Sequence, residues 1–233
     1  MKPVPVSAIE FYNHIADEYD NLLNRPLDVS ARQRVHDYVR DLNIRGVALD
    51  FGGGSGLDLP WLTELGFDIY FCEPAFDFKN KAVERVKLNQ WDTHVHFVDN
   101  EMSDFHSWTE TLPFRKKPAL ILANFGVANY IKDLTVMFQQ FDKVSEQRAT
   151  VILLLLVENK TQQPFLKHIV DRTKKIFSDT RKRWTSHKGK AHAAYIYSTA
   201  DLVSAAMPYF SLHHTSSISG THGSFEMLHF VKK

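Results

Sequence analysis

The stretch Val47-Ala48-Leu49-Asp50-Phe51-Gly52-Gly53-Gly54-Ser55-Gly56 constrains this chain more than any other part of it. An apolar strand that ends in several glycines and feeds a helix can turn at once and bring bare backbone against a ligand. The helix expected from Leu57 to Leu65 would point the unpaired N–H groups of its first turn at the same place, which suits a partly anionic group. Asp50, two positions before the first glycine, adds a carboxylate and a preference for positive charge.

These two demands separate ligand classes. A dinucleotide fingerprint needs its third glycine three places after the second, but Leu57 occupies that position and the glycine comes one place early, at Gly56. Asp50 would also repel a pyrophosphate, by roughly 1 to 4 kcal/mol at effective dielectrics of about 80 to 20. S-adenosylmethionine, with an ammonium and a sulfonium beside a carboxylate, answers both signs of charge. An acid closing the second strand about 20 residues on would hold a ribose. Glu73 stands there, after Phe67-Asp68-Ile69-Tyr70-Phe71-Cys72. Pro74 stops the strand and leaves the carboxylate at its tip as an acceptor for two hydroxyls.

With these residues in place, the chain resembles the class I S-adenosylmethionine-dependent methyltransferases, and among them the small-molecule members of ubiquinone-biosynthesis type. The resemblance spans residues 8 to about 160. It implies S-adenosyl-L-methionine as cofactor, S-adenosyl-L-homocysteine as product, and a cofactor site that includes Asp50, Gly52, Gly53, Gly54, Gly56, Glu73 and Pro74. The opening Phe11-Tyr12-Asn13-His14-Ile15-Ala16-Asp17-Glu18-Tyr19-Asp20 matches the family's aromatic-rich first helix, so Tyr12 and Tyr19 are expected to close over the cofactor. After a third strand, Thr93 to Val98, the family places an acid on the adenine amino group. Glu101 takes that position with Met102 next, while Asp99 is the first carboxylate past the strand. The fourth strand, Pro118 to Ala123, ends at Asn124 and Phe125, near the methyl group in the family, and Tyr130 is expected to face the substrate.

What is missing narrows the chemistry. Asn124-Phe125-Gly126-Val127 lacks the paired prolines of enzymes that methylate adenine or glutamine nitrogens. Cys72 is the only cysteine and lies within the second strand, so neither covalent activation of a base nor a thiolate zinc site is expected, and no metal is. The chain has 233 residues, 44% hydrophobic, with a formal charge of +1, enough for one methyltransferase domain with a cap. The longest apolar run, Val151 to Val157, is too short for a membrane span, and the N-terminus has no signal-like apolar region. A cytoplasmic location is expected, with Pro3 and Pro5 in a frayed end.

The remaining pattern predicts an α/β fold: a Rossmann-like, seven-stranded, mostly parallel sheet flanked by helices. Helices are expected over 7–24, 28–42, 57–65, 76–89, 131–145, 161–178 and 199–207. The run Ala149 to Val157 reads as a central strand buried on both faces. Phe210–Ile218 and Phe225–Val231 read as a terminal antiparallel pair. The resemblance supplies the strand order 3-2-1-4-5-7-6, with the last strand antiparallel.

Residues 1–44 are expected to form a helical lid, and 159–197 a cap insertion over the substrate site. Arg181 to Tyr197 reads as two strands around a Lys188-Gly189 turn, with Trp184 and Tyr195 as substrate candidates. Should the acceptor need a base, His187, His192 and His222 are the candidates. The function read from the sequence is methyl transfer to an O, N or C atom of a small molecule. Two alternatives stay open. One is a tRNA or protein methyltransferase docking through the basic 174–190 segment; the other is a non-catalytic cofactor-binding scaffold.

Overall fold

The computed structural model describes residues 3–99, 103–108, 114–157, 182–220 and 223–233. A two-residue strand, β1 (Val4–Pro5), precedes two helices, α1 (Ala8–Leu22) and α2 (Pro26–Asp41). Ser7 caps α1, its hydroxyl oxygen accepting from the Glu10 N–H at 3.1 Å. Helix α2 starts two residues earlier than its hydrophobic pattern suggests because Pro26 occupies its first turn, where a missing N–H costs nothing.

Strands and helices then alternate: β2 (Val47–Phe51), α3 (Leu59–Glu64), β3 (Asp68–Cys72), α4 (Phe76–Asn89), β4 (Val95–Phe97), β5 (Leu120–Ala123), α5 (Leu134–Val144) and β6 (Thr150–Leu156). The hairpin β7 (Lys182–His187) and β8 (Lys190–Tyr195) follows, then α6 (Thr199–Ala206) and a longer hairpin, β9 (Phe210–Gly220) and β10 (Gly223–Lys232).

The main sheet has the order β4-β3-β2-β5-β6-β10-β9, which is the expected topology. Its first five strands pair in parallel, and β10 runs antiparallel to both β6 and β9. Because the chain builds outward from β2 in one direction and from β5 in the other, a crevice opens at the carboxyl ends of these two strands, where α/β sheets take their ligands. Both faces of the sheet are covered. Val151, Leu153 and Leu155 face one apolar cluster with Phe138 and Phe141 of α5, while Ile152 and Leu154 face another with Val35 and Val39 of α2. All five of these β6 residues are 0% exposed, so a continuous apolar run is what this strand requires.

β1, β8 and β7 form a separate small sheet, and this corrects the expectation of a frayed start. Val4 N–H donates to Gly189 O and Val6 N–H to Ala191 O, each at 2.8 Å. Pro5 lies between these donors, so its missing N–H breaks no ladder bond, the position in which an edge strand tolerates proline. The turn of the β7–β8 hairpin falls at Lys188-Gly189 as expected, with φ of 45° and 82°, the positive pair that a two-residue hairpin turn needs.

Other boundaries move. The helix after the glycines begins at Leu59, since Gly56 and Leu59 N–H groups are already spent on Gly53 O and Gly56 O. The terminal strands run on to Gly220 and from Gly223, and the expected helix 161–178 lies outside the described residues.

Asn129 ties the small hairpin to the main sheet. Its Nδ2 donates to Leu156 O at 3.2 Å and Tyr195 O at 2.7 Å, and its Oδ1 accepts from Leu156 N–H at 2.9 Å. Asn129→Ala would leave buried backbone groups unpaired, each costing about 1–3 kcal/mol. The expected outcome is a loss of roughly 3 kcal/mol in urea-unfolding stability, and a change smaller than experimental error would remove Asn129 from this role.

Candidate cofactor and substrate site

A cavity of about 360 Å³ lies at the carboxyl ends of β2, β3 and β5. The glycine turn forms its floor. A Cβ added to Gly53 would lie 2.3 Å from the Phe71 ring and 2.6 Å from Asp50 Oδ2, and one on Gly52 would lie 2.7 Å from both Val127 methyls. Steric exclusion therefore demands glycine at Gly53, and at Gly52 it acts together with a positive φ of 72°. At Gly54 the balance reverses: φ is 59° and a Cβ would meet nothing nearer than 3.5 Å.

Glu73 stands at the tip of β3. Its Oε1 accepts from Ala75 N–H at 2.7 Å and its Oε2 from Gly54 N–H at 2.9 Å. Burial nevertheless raises its pKa to about 7, with those two donors and Lys79 opposing the shift. Asp50 is not on the cavity wall. It lies beneath Gly53 with Oδ2 buried and unpartnered, and burial, then Asp58 and Glu73, hold its pKa well above the usual carboxylate range against the pull of Arg32.

Asp58 and Arg32 are among the wall residues that the sequence did not point to. Asp58 Oδ1 accepts from Arg32 Nε at 3.1 Å and Trp61 Nε1 at 3.0 Å, and its Oδ2 accepts from Asn124 Nδ2 at 2.9 Å. Arg32 also lies over the Phe125 ring at 4.5 Å. Phe125 carries a positive φ of 52°, a strained state for an aromatic residue that surrounding contacts must hold. Asn124 Oδ1 remains buried with no partner, an acceptor facing the same network. The i, i+3 pair Asp58 and Trp61 was the one local signal available; Arg32 lies 26 residues from Asp58 and left none.

The opposite wall is aromatic. Tyr12, Tyr19, Phe78 and Tyr130 all line the cavity. Tyr12 contacts Tyr130 edge-on at 5.3 Å and Phe78 at 5.6 Å, and Tyr19 meets Phe78 at 4.6 Å. Burial raises the phenol pKa of all three tyrosines, so they enter as neutral donors. Helix α1 is held over the glycine turn by Asp20, which accepts from the Ser55 hydroxyl and pairs with Arg85 of α4 at 2.9 Å.

Of the residues expected at this site, Tyr12, Tyr19, Gly52, Gly53, Gly54, Glu73, Pro74, Asn124, Phe125 and Tyr130 line the cavity. Gly56 lies behind it, packed on Leu59 and Ala82. Asp99 is exposed and off the wall, where Ser103, Asp104, Phe105 and His106 stand instead. Glu101, Met102 and His222 lie outside the described residues.

Trp184 and Tyr195, expected to face the substrate, are not on the cavity wall. Trp184 is exposed beside Lys182, and Tyr195 stacks on Tyr197 at 6.1 Å. His187 pairs with Glu18 at 3.5 Å, away from the wall. His192 is buried behind it, its ring 4.9 Å from Tyr130 and 4.2 Å from Phe11. Burial lowers its pKa to about 4, offset in part by the Ala193 backbone.

Three solved structures share this architecture. The magnesium protoporphyrin IX methyltransferase ChlM from Synechocystis PCC 6803 with bound SAH aligns over 96% of this chain and 97% of its own, with TM-score 0.68 and 16% identity. The N-methyltransferase NodS from Bradyrhizobium japonicum WM9, in complex with S-adenosyl-L-homocysteine, gives 0.64 and 10% over 97% and 99%. The DhpI–SAH complex gives 0.63 and 16% over 95% and 93%. No family model matches the sequence, and no curated protein matches it by sequence. The likeness is one of fold: the chain has the class I S-adenosylmethionine-dependent methyltransferase fold.

The two neighbouring glycines should respond differently to alanine. Gly53→Ala forces the turn away from Phe71 and should abolish S-adenosylhomocysteine binding measured by calorimetry. Gly54→Ala adds only the left-handed strain of about 1–2 kcal/mol, so it should fold with a modest loss of thermal stability. Equal binding by wild type and Gly53→Ala would refute the steric account.

Proposed function

We propose that this chain is an S-adenosylmethionine-dependent methyltransferase acting on a small molecule. The observation that carries the reading is the pairing, in one cavity, of a glycine turn too close-packed for side chains with a buried carboxylate, Glu73, at the tip of the neighbouring strand. When bound, the cofactor supplies a methyl group already activated by a sulfonium, so the protein's task is alignment and exclusion of water. Glu73, on the cavity wall at the tip of β3, would accept from the two ribose hydroxyls. Asn124 Oδ1, buried without a donor, suits an ammonium, and the Arg32 guanidinium suits a carboxylate. Tyr12, Tyr19 and Tyr130 would close the aromatic side and shield the reacting atoms.

The acceptor atom is O, N or C. A small acceptor is favoured over a tRNA or protein because the basic hairpin spends part of its charge internally. Lys190 pairs with Glu10 at 3.1 Å and Lys188 pairs with Glu18. Among the described residues no helix is long and apolar enough to cross a membrane. The direct test incubates the purified chain with isotopically labelled cofactor and metabolite extracts, and looks by mass spectrometry for a labelled methyl group on a product. Binding of nicotinamide dinucleotides with none of S-adenosylhomocysteine would sink the proposal; tight S-adenosylhomocysteine binding with no transfer to any acceptor would favour the scaffold reading.

A pH dependence follows from Glu73. Its pKa of about 7 lies above the ordinary carboxylate value of 4.5, so the folded state holds this proton more tightly than the unfolded chain, and the stability present below 4.5 is lost as pH rises from there through about 7. Hydroxyl donors favour the ionised form. Binding of S-adenosylhomocysteine should therefore release protons below pH 7 and tighten as pH rises to about 7, then level off. Glu73→Gln should flatten this profile and weaken binding by about 1.5–3 kcal/mol. Calorimetry in buffers of different ionisation enthalpy reads both, and an unchanged profile in the variant would assign the titration to another group.

A further inference from the structure

The terminal hairpin carries a cluster of side chains that the cavity does not use. β9 and β10 pair in register from Gly220 with Gly223 to His214 with His229; the register then shifts, so that Phe230 pairs with Leu212. Neighbouring strand residues ordinarily point to opposite faces, and a bulge breaks that alternation and re-aims a side chain. His213 and His214 accordingly both reach the same group. The His213 ring lies 5.6 Å from that of His229, and His214 stacks at 5.1 Å on Tyr38 of α2, itself 5.7 Å from His229.

His229 is only 6% exposed. Its Nδ1 lies 2.9 Å from the Tyr38 hydroxyl, and its Nε2 is buried with no hydrogen-bond partner. With Nδ1–H donating to the Tyr38 oxygen, Nε2 presents a lone pair. That is how an outer partner fixes the tautomer and orientation of a metal-ligating imidazole. Two imidazoles on one tetrahedral ion, with metal–nitrogen bonds of about 2.0–2.1 Å, have ring centres about 5 Å apart. The His213 and His229 ring centres, 5.6 Å apart, lie close to that spacing.

We propose that His229 Nε2 and the His213 imidazole bind one borderline divalent transition-metal ion, Zn²⁺ or Ni²⁺, with water completing the coordination and Tyr38 orienting His229. Among the described residues no group of three or more His, Cys, Asp or Glu side chains is gathered to hold an ion, so this is a two-histidine site, and His214 joins it only by leaving Tyr38. A bound ion would fasten β9 to β10 at the bulge and, through Tyr38, to α2.

The test titrates the intact, tag-free chain with ZnCl₂ and NiCl₂ by calorimetry, with MgCl₂ as a hard cation that imidazole does not select. One Zn²⁺ or Ni²⁺ per chain and no Mg²⁺ is the expected result. His213→Ala, at an exposed position that leaves the fold intact, should weaken binding about tenfold or more, and Tyr38→Phe by about tenfold through loss of the orienting hydroxyl. Tyr38→Phe separates an oriented site from adventitious surface binding, which would not respond to it. No Zn²⁺ or Ni²⁺ bound by the intact chain, or equal affinity in wild type and His213→Ala, would overturn the proposal.

Discussion

Everything at the candidate site depends on how closely the backbone of Gly52 and Gly53 approaches its neighbours. The end of β2 is pressed between Phe71 on one side and Val127 on the other, with hypothetical side-chain atoms at 2.3 and 2.7 Å. That approach brings Gly54 N–H onto the Glu73 carboxylate at 2.9 Å and so joins two strand tips into one surface. A single methyl at Gly53 would separate them. The core supports the arrangement from below, since Phe71 and Leu49 are fully buried and belong to the two clusters on either side of the sheet.

Charge is the second organising constraint. Asp50, Asp58 and Glu73 gather around one turn with Arg32 facing them, and each of the two shifted acids, Asp50 and Glu73, is pushed upward mainly by burial. Taking a carboxylate out of water is costly unless a donor or a cation meets it. Asp58 has its donors; Asp50 Oδ2 and Asn124 Oδ1 do not. Such a pocket gains most from a ligand that brings positive charge and hydrogen-bond donors to its acidic side and a carboxylate to Arg32, which is a stricter requirement than a glycine turn alone imposes.

The fold was legible because its signals are local. β6 shows itself as an unbroken apolar run, the β7–β8 hairpin by its Lys188-Gly189 turn, and the β2 turn by its glycines. Helix starts were less exact where a proline or a tight turn decided them, as at Pro26 and Leu59. The lining of the candidate cavity was legible along the glycine turn after β2 and at Glu73 and went unread wherever a partner lies far along the chain. Arg32 meets Asp58 across 26 residues, Asn124 meets Asp58 across 66, and Asp20 meets Arg85 across 65. No spacing rule reaches these pairs. Strand β1 was missed for the opposite reason: two prolines near a terminus argue for fraying, and only the β7–β8 hairpin gives Val4 and Val6 their acceptors.

The same long-range pairing changes what the basic hairpin means. Read alone, Lys182, Arg183, Lys188 and Lys190 describe a surface for polyanions. In the folded chain Lys188 and Lys190 face Glu18 and Glu10 of α1, and β8 carries β1 on its far edge. His192 packs its ring against Phe11 and Tyr12 of that helix, at 4.2 and 5.4 Å. Hairpin and helix thus share ion pairs and an aromatic contact, β1 adds a backbone ladder just ahead of α1, and α1 also supplies Tyr12 and Tyr19 to the cavity wall. The hairpin, far from the glycine turn in sequence, packs directly on the helix that walls the cavity above that turn.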